Sequence, residues 1–308
     1  MNDRVRSGII YAVILLAILV SSLWFTWTPI VMAVAVAFLG SLEVGAALSR
    51  KFRPLSIGWI LSGSLVLLAP VIISIQYSDL RDWYFIRDAD ELGNLWKTDF
   101  LWLLALGIMA LTLVYLIFAF IKVAVQLMQR GPAIIPHSVA ELGASFYIGF
   151  PLAAIVLFTF AVPDGFKWLV LALVMPSITD VSAYYVGNAF GHRHILPKIS
   201  PKKTMAGFVG GLIIPTAVVG ILFMIFFNGS EPLRNGLFET FIWGAAAGLL
   251  LSLASQVGDW VASALKRYCG IKDFSQLLPG HGGILDRFDS VLYCLPVTLL
   301  LALGFYLL

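Results

Sequence analysis

The sequence predicts an all-α integral membrane protein, a single helical bundle with about nine transmembrane helices. Two observations predict this class. Apolar residues make up 60% of the 308 residues and charged residues only 12%, whereas soluble domains carry roughly 25% charged residues. Apolar runs of about 20 residues, the length that crosses a bilayer as a helix, also recur along the whole chain and are separated only by loops. We therefore treat residues 1–308 as one membrane domain.

The apolar runs define the elements in order. The run after Met1–Ser7 is too long for a cleavable signal sequence and is closely followed by another run, so we assign it as the first helix. Residues 1–138 form N-terminal helices that carry few motifs. Residues 139–308 carry the polar motifs in which we expect the function to lie. The predicted spans are 8–26, 29–48, 55–77, 100–127, 140–162, 168–189, 207–228, 239–263 and 290–307.

Basic residues are distributed unequally between the two sides of this predicted bundle. With nine spans, the N-terminus shares a side with the loops that follow the second, fourth, sixth and eighth spans. That side carries 15 of the 20 Lys and Arg residues, and the other side carries 5. Because cytoplasmic loops carry the excess of Lys and Arg, we expect the N-terminus and these loops in the cytoplasm. The net charge of only +3 gives no sign of a nucleic-acid partner.

A polar segment lies at the junction of the last two spans. Residues Ser263–Asp289 combine cations, a Pro-Gly-His-Gly-Gly turn and acids within an apolar region, where polar side chains are usually functional. Cations suit phosphate oxygens, and glycines let the backbone approach a ligand closely. The combination indicates phosphoryl or nucleotidyl transfer at a membrane surface. The cations are Lys266, Arg267 and Lys272, the turn is Pro279–Gly283, and the acids are Asp286 and Asp289.

A second polar cluster, Thr179–Gly207, follows the sixth span on the same predicted side. Free backbone N–H groups near the start of the seventh span suit phosphate oxygens, so the two clusters can converge on one anionic ligand. Lysines at helix ends also fix topology and contact lipid head groups, and this alternative stays open. The polar residues of the cluster are Asp180, His192, Arg193, His194, Lys198, Ser200, Lys202, Lys203 and Thr204.

Three aspartates are the main candidates for binding a metal ion. Asp259, Asp286 and Asp289 can place oxygens around Mg²⁺, which is held by a few carboxylates together with phosphate and water. Asp180 is a further candidate, and we allow for a second cation. A helix cap or an ion pair with a nearby lysine is the alternative for these acids. His281, within the glycine turn, is expected either to donate to phosphate or to stabilise the turn.

At these residues the chain resembles the phosphatidate cytidylyltransferase family, also called CDP-diacylglycerol synthases. The resemblance covers roughly the C-terminal 40% of the chain. It departs from the family at Ala206 and Ala262, where members usually carry glutamate. The family signature is matched by Gly258, Asp259, Ser263, Lys266, Arg267, Lys272, Asp273, Pro279–Gly283, Asp286, Arg287 and Asp289. An earlier family segment is matched by Asp180, Ala183, Tyr184, Gly187, Gly191, Ser200, Pro201, Lys203 and Thr204.

The resemblance implies transfer of the cytidylyl group from CTP to phosphatidic acid, giving CDP-diacylglycerol and pyrophosphate in phospholipid synthesis. It implies Mg²⁺ on Asp259, Asp286 and Asp289, with Asp180 as an additional ligand. The implied catalytic residues are Lys266, Arg267, Lys272, His281 and Arg287. The implied substrate-binding residues are Ser200, Lys203, Thr204, Ser263, Gly282 and Gly283.

The expected location is the inner (cytoplasmic) membrane of a bacterium, surrounded by membrane lipids. The small-residue helix face Gly244–Gly248 leaves two alternatives open, a homodimer contact and any other close helix contact, which would use the same small residues. Three alternatives remain for the function: a cytidylyltransferase for a related lipid phosphate, a CTP-dependent lipid kinase and a transporter. A transporter would show corresponding broken helices in two halves, whereas the polar motifs occur only in the second half.

Overall fold

The structure, a computed structural model, describes residues 13–25, 27–52, 55–68, 101–160, 162, 164–227, 236–278 and 282–307. This part is almost entirely helical, which confirms the predicted all-α class. A helical segment at 13–21 comes first. The helices that follow are α1 (Thr28–Leu48), α2 (Ile57–Leu67), α3 (Leu101–Arg130), α4 (Ile135–Phe160), α5 (Gly165–Phe190), α6 (Met205–Phe226), α7 (Leu237–Tyr268) and α8 (Leu285–Leu307).

Seven helices of the described residues are long and apolar enough to cross a membrane. The protein is therefore an integral membrane protein. Helix α2 is apolar but shorter. The predicted spans 8–26 and 55–77 run into residues outside the described ranges, so the count of nine stays a prediction.

The last two helices extend into the polar motif further than hydropathy predicts. Helix α7 continues to Tyr268 instead of ending near residue 263, and α8 begins at Leu285 instead of residue 290. The polar turns at the end of α7 and at the start of α8 lower the local hydropathy without breaking the helix. The length of an apolar run therefore underestimates the length of the helix. Lys266 therefore lies on the end of α7, and Asp286 and Asp289 lie on the first turns of α8.

A small β-hairpin follows α5, in a segment where the sequence predicts only a loop. Strand β1 (His194–Leu196) pairs antiparallel with β2 (Ser200–Thr204), so that His194 lies opposite Thr204. Thr204 then begins α6, because its hydroxyl accepts a hydrogen bond from the backbone N–H of Gly207 at 3.2 Å, a standard helix N-cap. The hairpin thus carries Lys203 directly to the start of a transmembrane helix.

Helices α5–α8 form one packed group, with α6 between α5 and α7 and with α8 against α4, α5 and α7. Glycines allow the close crossings. A Cβ at Gly207 would lie 2.7 Å from the carbonyl oxygen of Ala183. The helix face Gly244–Gly248, considered above for a homodimer, packs against another helix of the same chain. A Cβ at Gly244 would lie 2.8 Å from the carbonyl oxygen of Val219, and one at Gly248 would lie 2.9 Å from Thr216 Cα.

That packing corrects the proposed dimer face, because Gly244 and Gly248 serve the contact between α6 and α7 within one chain. The N-terminal helices form the other side of the bundle. Helices α1 and α2 pack against α4, and α1 also reaches α8. This last contact brings an N-terminal helix to the motif that the sequence places near the C-terminus.

Candidate active site

The ends of several helices meet at one end of the bundle. The Phe52 ring, just after α1, lies 5.8 Å from the His137 ring at the start of α4 and 6.5 Å from the Tyr268 ring at the end of α7. The loop between α7 and α8 lies at this end as well. The polar residues of both sequence clusters are gathered here.

Lys266 binds two of the predicted acids. Its Nζ lies 2.7 Å from Asp286 Oδ1 and 3.6 Å from Asp289 Oδ2. The Lys266 side chain is only 10% exposed, so its charge is compensated mainly by these two carboxylates. A buried ammonium between two acids holds the end of α7 against the start of α8. The structure thus brings together three residues that the sequence predicts as one site.

Asp286 also shapes the loop that precedes it. Its second oxygen, Oδ2, accepts hydrogen bonds from the backbone N–H groups of Phe274 at 2.8 Å and Gly283 at 2.9 Å. Gly282 has a φ of +79°, and a Cβ there would lie 2.7 Å from Asp286 Oδ2. Glycine is therefore required at position 282 both by conformation and by space. Asp286 has a structural role here, in addition to any role in binding a metal.

A second ion pair joins the hairpin to α7. Lys203 on β2 contacts Asp259 on α7, and their side chains are 31% and 23% exposed. The Ser263 hydroxyl donates to the other oxygen of Asp259 at 3.4 Å. Burial lowers the pKa of Lys203, while the nearby Asp180 and Asp289 carboxylates oppose that shift. The two polar clusters therefore come together where Lys203 contacts Asp259, because Asp259 in turn binds Ser263 at the start of the other cluster.

Asp259 lies inside the bundle instead of at its rim. Asp259 is nine residues before the end of α7, Tyr268, which corresponds to about 14 Å along the helix at 1.5 Å per residue. Gly258 lets α8 approach closely at this level, since a Cβ there would lie 3.0 Å from the Asp289 carbonyl oxygen. Asp180 is exposed on α5, near enough to Lys203 to affect its pKa. The contacts thus join the hairpin, α7 and α8 at one site, which we call the cleft.

The remaining predicted residues have different surroundings. The Arg267 guanidinium donates to the backbone carbonyls of Ile199 at 3.3 Å and Ile271 at 3.1 Å, so it ties the hairpin to the end of α7. Lys272 is exposed in the loop, and Arg287 is partly buried on α8. Ser200 is partly buried on β2, whereas Thr204 is buried as a helix cap. His281 lies outside the described residues.

The structure adds Glu43, which the sequence analysis did not select. Its carboxylate accepts hydrogen bonds from the Ser275 hydroxyl at 2.6 Å and from the backbone N–H groups of Ile284 at 2.9 Å and Leu285 at 2.8 Å. Only 6% of Glu43 is exposed. A carboxylate inside an apolar span is costly without partners. The presence of a glutamate within the predicted span 29–48 is therefore the sequence feature that could have identified Glu43. Gly283 packs directly against this carboxylate and has no room for a side chain.

The acids fit a divalent cation by their chemistry. Carboxylate oxygens are the protein ligands that Mg²⁺ prefers. Among the residues the structure describes, however, no three potential ligands are gathered in a metal-binding group. Lys203 lies against Asp259, and Lys266 lies against Asp286 and Asp289, so ammonium groups neutralise these acids. A metal ion would compete with these two lysines for carboxylate oxygens.

Comparison with known proteins gives one consistent result. A sequence model of the cytidylyltransferase family matches residues 2–305. The phosphatidate cytidylyltransferase of Staphylococcus saprophyticus is 41% identical over 134 residues, which are 44% of this chain and 48% of that protein. The Bacillus subtilis phosphatidate cytidylyltransferase is 42% identical over 132 residues, 43% of this chain and 46% of that protein. The chain spans about half the length of the curated relatives it matches.

Proposed function

Because the chain belongs to the cytidylyltransferase family, we propose that it transfers the cytidylyl group of CTP to phosphatidic acid. The products are CDP-diacylglycerol and pyrophosphate. One observation carries the proposal beyond family membership: two lysines and three aspartates from separate sequence clusters meet in one recessed cleft. Such a cleft suits a reaction in which two polyanionic substrates meet. The names of the similar bacterial proteins support the same substrates.

The proposed reaction is an in-line substitution at phosphorus. An oxygen of the lipid phosphate forms a bond to the α-phosphorus of CTP, and the bond from that phosphorus to the β-phosphate bridging oxygen breaks. The lipid phosphate is already ionised, so no general base is needed. The main tasks of the protein are to neutralise charge and to align the two phosphates. The ammonium groups of Lys203 and Lys266 are the proposed phosphate ligands, because both lie in the cleft.

The other predicted residues act around these two lysines. Arg287 lies within electrostatic range of Asp180 and is proposed as a further cation for the phosphates. Ser263 orients Asp259 through its hydroxyl. Arg267 holds the hairpin that carries Lys203, because its guanidinium binds the Ile199 carbonyl. Lys272 and His281 remain proposed phosphate contacts of the loop.

Mg²⁺ is the proposed cofactor, held by Asp259, Asp289 and the Oδ1 atom of Asp286, with Asp180 near enough to contribute. When bound, it would neutralise phosphate charge and polarise the phosphorus–oxygen bonds. Asp286 Oδ2 would keep its hydrogen bonds to Phe274 and Gly283, so the loop would remain in place while Oδ1 exchanges partners. Lys203 and Lys266 would then be released from the acids to bind phosphate.

The site is proposed to face the cytoplasm of a bacterial inner membrane. The supporting observation is the distribution of the 20 basic residues, 15 of which fall on the side of the motif loop. CTP is a cytoplasmic solute, so this orientation also gives the cleft access to its substrate.

The function can be tested with purified protein, phosphatidic acid, Mg²⁺ and CTP labelled at the α-phosphorus. We expect label in the lipid fraction. A parallel reaction with γ-labelled CTP should leave the lipid unlabelled and place the label in pyrophosphate. A lipid kinase would give the opposite pattern, and a transporter would label no lipid. Either result would overturn the proposal.

A further inference from the structure

A polar strip runs along the second half of α5. No residue of this helix from 165 to 176 is exposed, and its first two exposed residues are Ser177 and Asp180. Tyr184 and Asn188 are also exposed and lie on the same face, one and two turns beyond Asp180. Ionisable residues of a spanning helix face the bundle interior or a water-filled cavity. Asp180 therefore marks this polar strip as the side of α5 that borders water.

The polar strip begins beside the cleft. Thr204, the residue after Lys203, packs against α5, because a Cβ at Gly187 would lie 2.9 Å from the Thr204 hydroxyl oxygen. The same short stretch of chain therefore contacts α5 through Thr204 and α7 through Lys203. Asp180 lies within electrostatic range of Lys203 and Asp289. The Asp180 end of the strip is thus the end nearest the proposed phosphate ligands.

The other end of the strip offers groups without a partner. Asn188 lies about 12 Å beyond Asp180 along the helix, at 1.5 Å per residue, and α5 ends two residues later at Phe190. Tyr184 lies midway and is 67% exposed. Neither Tyr184 nor Asn188 makes a side-chain hydrogen bond to a residue that the structure describes. An accessible aromatic ring and a free amide therefore follow one another on the way out of the cleft.

We propose that the polar strip binds the cytosine base of CTP, with the base stacked on the Tyr184 ring and its Watson–Crick edge paired with the Asn188 amide. This inference rests on the function proposed above. When the triphosphate lies against Lys203, the ribose holds the base away from the cations, in the direction in which the strip extends. Proteins commonly bind an unpaired base by stacking it on an aromatic side chain and by hydrogen bonds to its Watson–Crick edge.

The Asn188 amide is complementary to the edge of cytosine. Its carbonyl oxygen accepts from the exocyclic N4 amino group, and its NH₂ group donates to the ring nitrogen N3. The contact also serves the reaction. The ribose joins the base directly to the α-phosphate, so a fixed base helps to fix the phosphorus that is attacked, while the β- and γ-phosphates leave as pyrophosphate.

Tyr184→Ala and Asn188→Ala test the two contacts. Both side chains are exposed, so their removal leaves no cavity in the core. Tyr185→Ala is the matched control, because Tyr185 is the adjacent tyrosine and is also 67% exposed. It lies outside the strip, about 100° further round the helix. Tyr184→Phe keeps the stacking ring and removes only the hydroxyl group.

The first measurement is KM for each substrate at a saturating concentration of the other. We expect Tyr184→Ala and Asn188→Ala each to raise KM for CTP by roughly tenfold, the order of effect seen when a base loses a stacking partner. KM for phosphatidic acid should not change. Tyr184→Phe and Tyr185→Ala should keep the wild-type values. An unchanged KM for CTP in either alanine variant, or an equal rise in Tyr185→Ala, would overturn the inference.

A binding experiment isolates the base and needs no lipid. Labelled CTP bound to the purified protein is displaced by CMP or by ribose 5-phosphate, which share sugar and phosphate although only CMP carries the base. CMP should compete at a roughly tenfold lower concentration with the wild type, and this advantage should be lost in the double variant Tyr184→Ala/Asn188→Ala. An advantage that persists in the double variant, or equal competition at the wild type, would overturn the inference. If the wild-type protein bound no CTP or converted no lipid, the proposed function would fail instead.

Discussion

Glu43 on α1 accepts a hydrogen bond from the backbone N–H of Leu285 on α8 at 2.8 Å, although the two residues are 242 positions apart. Leu285 is the first residue of α8, where unpaired N–H groups and the helix dipole favour a negative charge. Glu43 thus caps the helix that carries Asp286 and Asp289. It also accepts a hydrogen bond from the Ser275 hydroxyl, and so it ties the middle of the motif loop to its end.

Replacing Glu43 should therefore impair the active site, although Glu43 lies outside the sequence motif. Glu43→Ala leaves one buried and two partly buried donors without this partner, and we expect it to cost about 3–5 kcal/mol in stability. Glu43→Gln keeps one carbonyl oxygen, and we expect a smaller cost of about 1–3 kcal/mol. The measurement is thermal unfolding of the purified protein, followed by assay of the folded fraction.

The catalytic readout distinguishes positioning of the loop from general destabilisation. Well below its unfolding temperature, Glu43→Gln should show a lower kcat, because the loop and the start of α8 lose their alignment. Glu239→Gln is the matched control, since Glu239 is an exposed glutamate in the first turn of α7. A folded Glu43→Gln protein with the kcat of the wild type would show that this contact does not position the site.

The contrast between Glu43 and Lys266 shows what the sequence could and could not predict. Lys266, Asp286 and Asp289 were predicted as one site because they lie within a short polar segment between apolar spans. Glu43 has no charged residue nearer in sequence than Arg50, and its partners lie far along the chain. A contact at that separation depends on how α1 packs against α8, which the hydropathy pattern does not specify.

The hairpin was missed for a related reason. Its strands are short, and His194 pairs with Thr204 where the chain turns back to begin α6. The Arg267 guanidinium fixes the turn through the Ile199 carbonyl. Such strands form because neighbouring helices hold them, not because of local β-propensity. The predicted convergence of the two polar clusters nevertheless did not depend on this detail, because both clusters lay on the same side of the predicted bundle.

Asp259 and Asp286 should respond differently to the same substitution. Asp286 is 4% exposed and accepts from one ammonium and two backbone N–H groups, so Asp286→Asn should lower stability by about 2–4 kcal/mol. The Lys203–Asp259 pair is partly exposed, and pairs of this kind contribute about 0–1 kcal/mol. Asp259→Asn should therefore remain nearly as stable as the wild type.

Both substitutions should nevertheless abolish formation of CDP-diacylglycerol, because each removes a carboxylate proposed to bind the metal ion. The check is parallel measurement of the unfolding temperature and of turnover with α-labelled CTP. Near-normal turnover in folded Asp259→Asn would contradict the metal assignment. An unchanged unfolding temperature in Asp286→Asn would contradict the structural role of its hydrogen bonds.

Lys203 should matter for rate far more than for stability. Loss of one donor to a developing phosphate charge typically costs about 100- to 1,000-fold in rate, so we expect Lys203→Ala to reduce kcat by that amount. Lys202→Ala is the matched control, because Lys202 is the preceding residue on the same strand and is exposed. Comparable losses in the two variants would indicate that general surface charge, and not the position of Lys203, supports the reaction.

Removal of divalent cations tests the cofactor independently of any substitution. The acids of the cleft contact lysines in this structure, and we expect these lysines to keep the protein folded when the metal ion is absent. Chelation should therefore stop turnover while leaving the unfolding temperature nearly unchanged, and added Mg²⁺ should restore the rate. Asp289→Asn, which removes another proposed ligand, should likewise abolish turnover and leave added Mg²⁺ without effect. Turnover that persists after complete chelation would remove the metal ion from the mechanism, and the two lysines would then have to neutralise the phosphates alone.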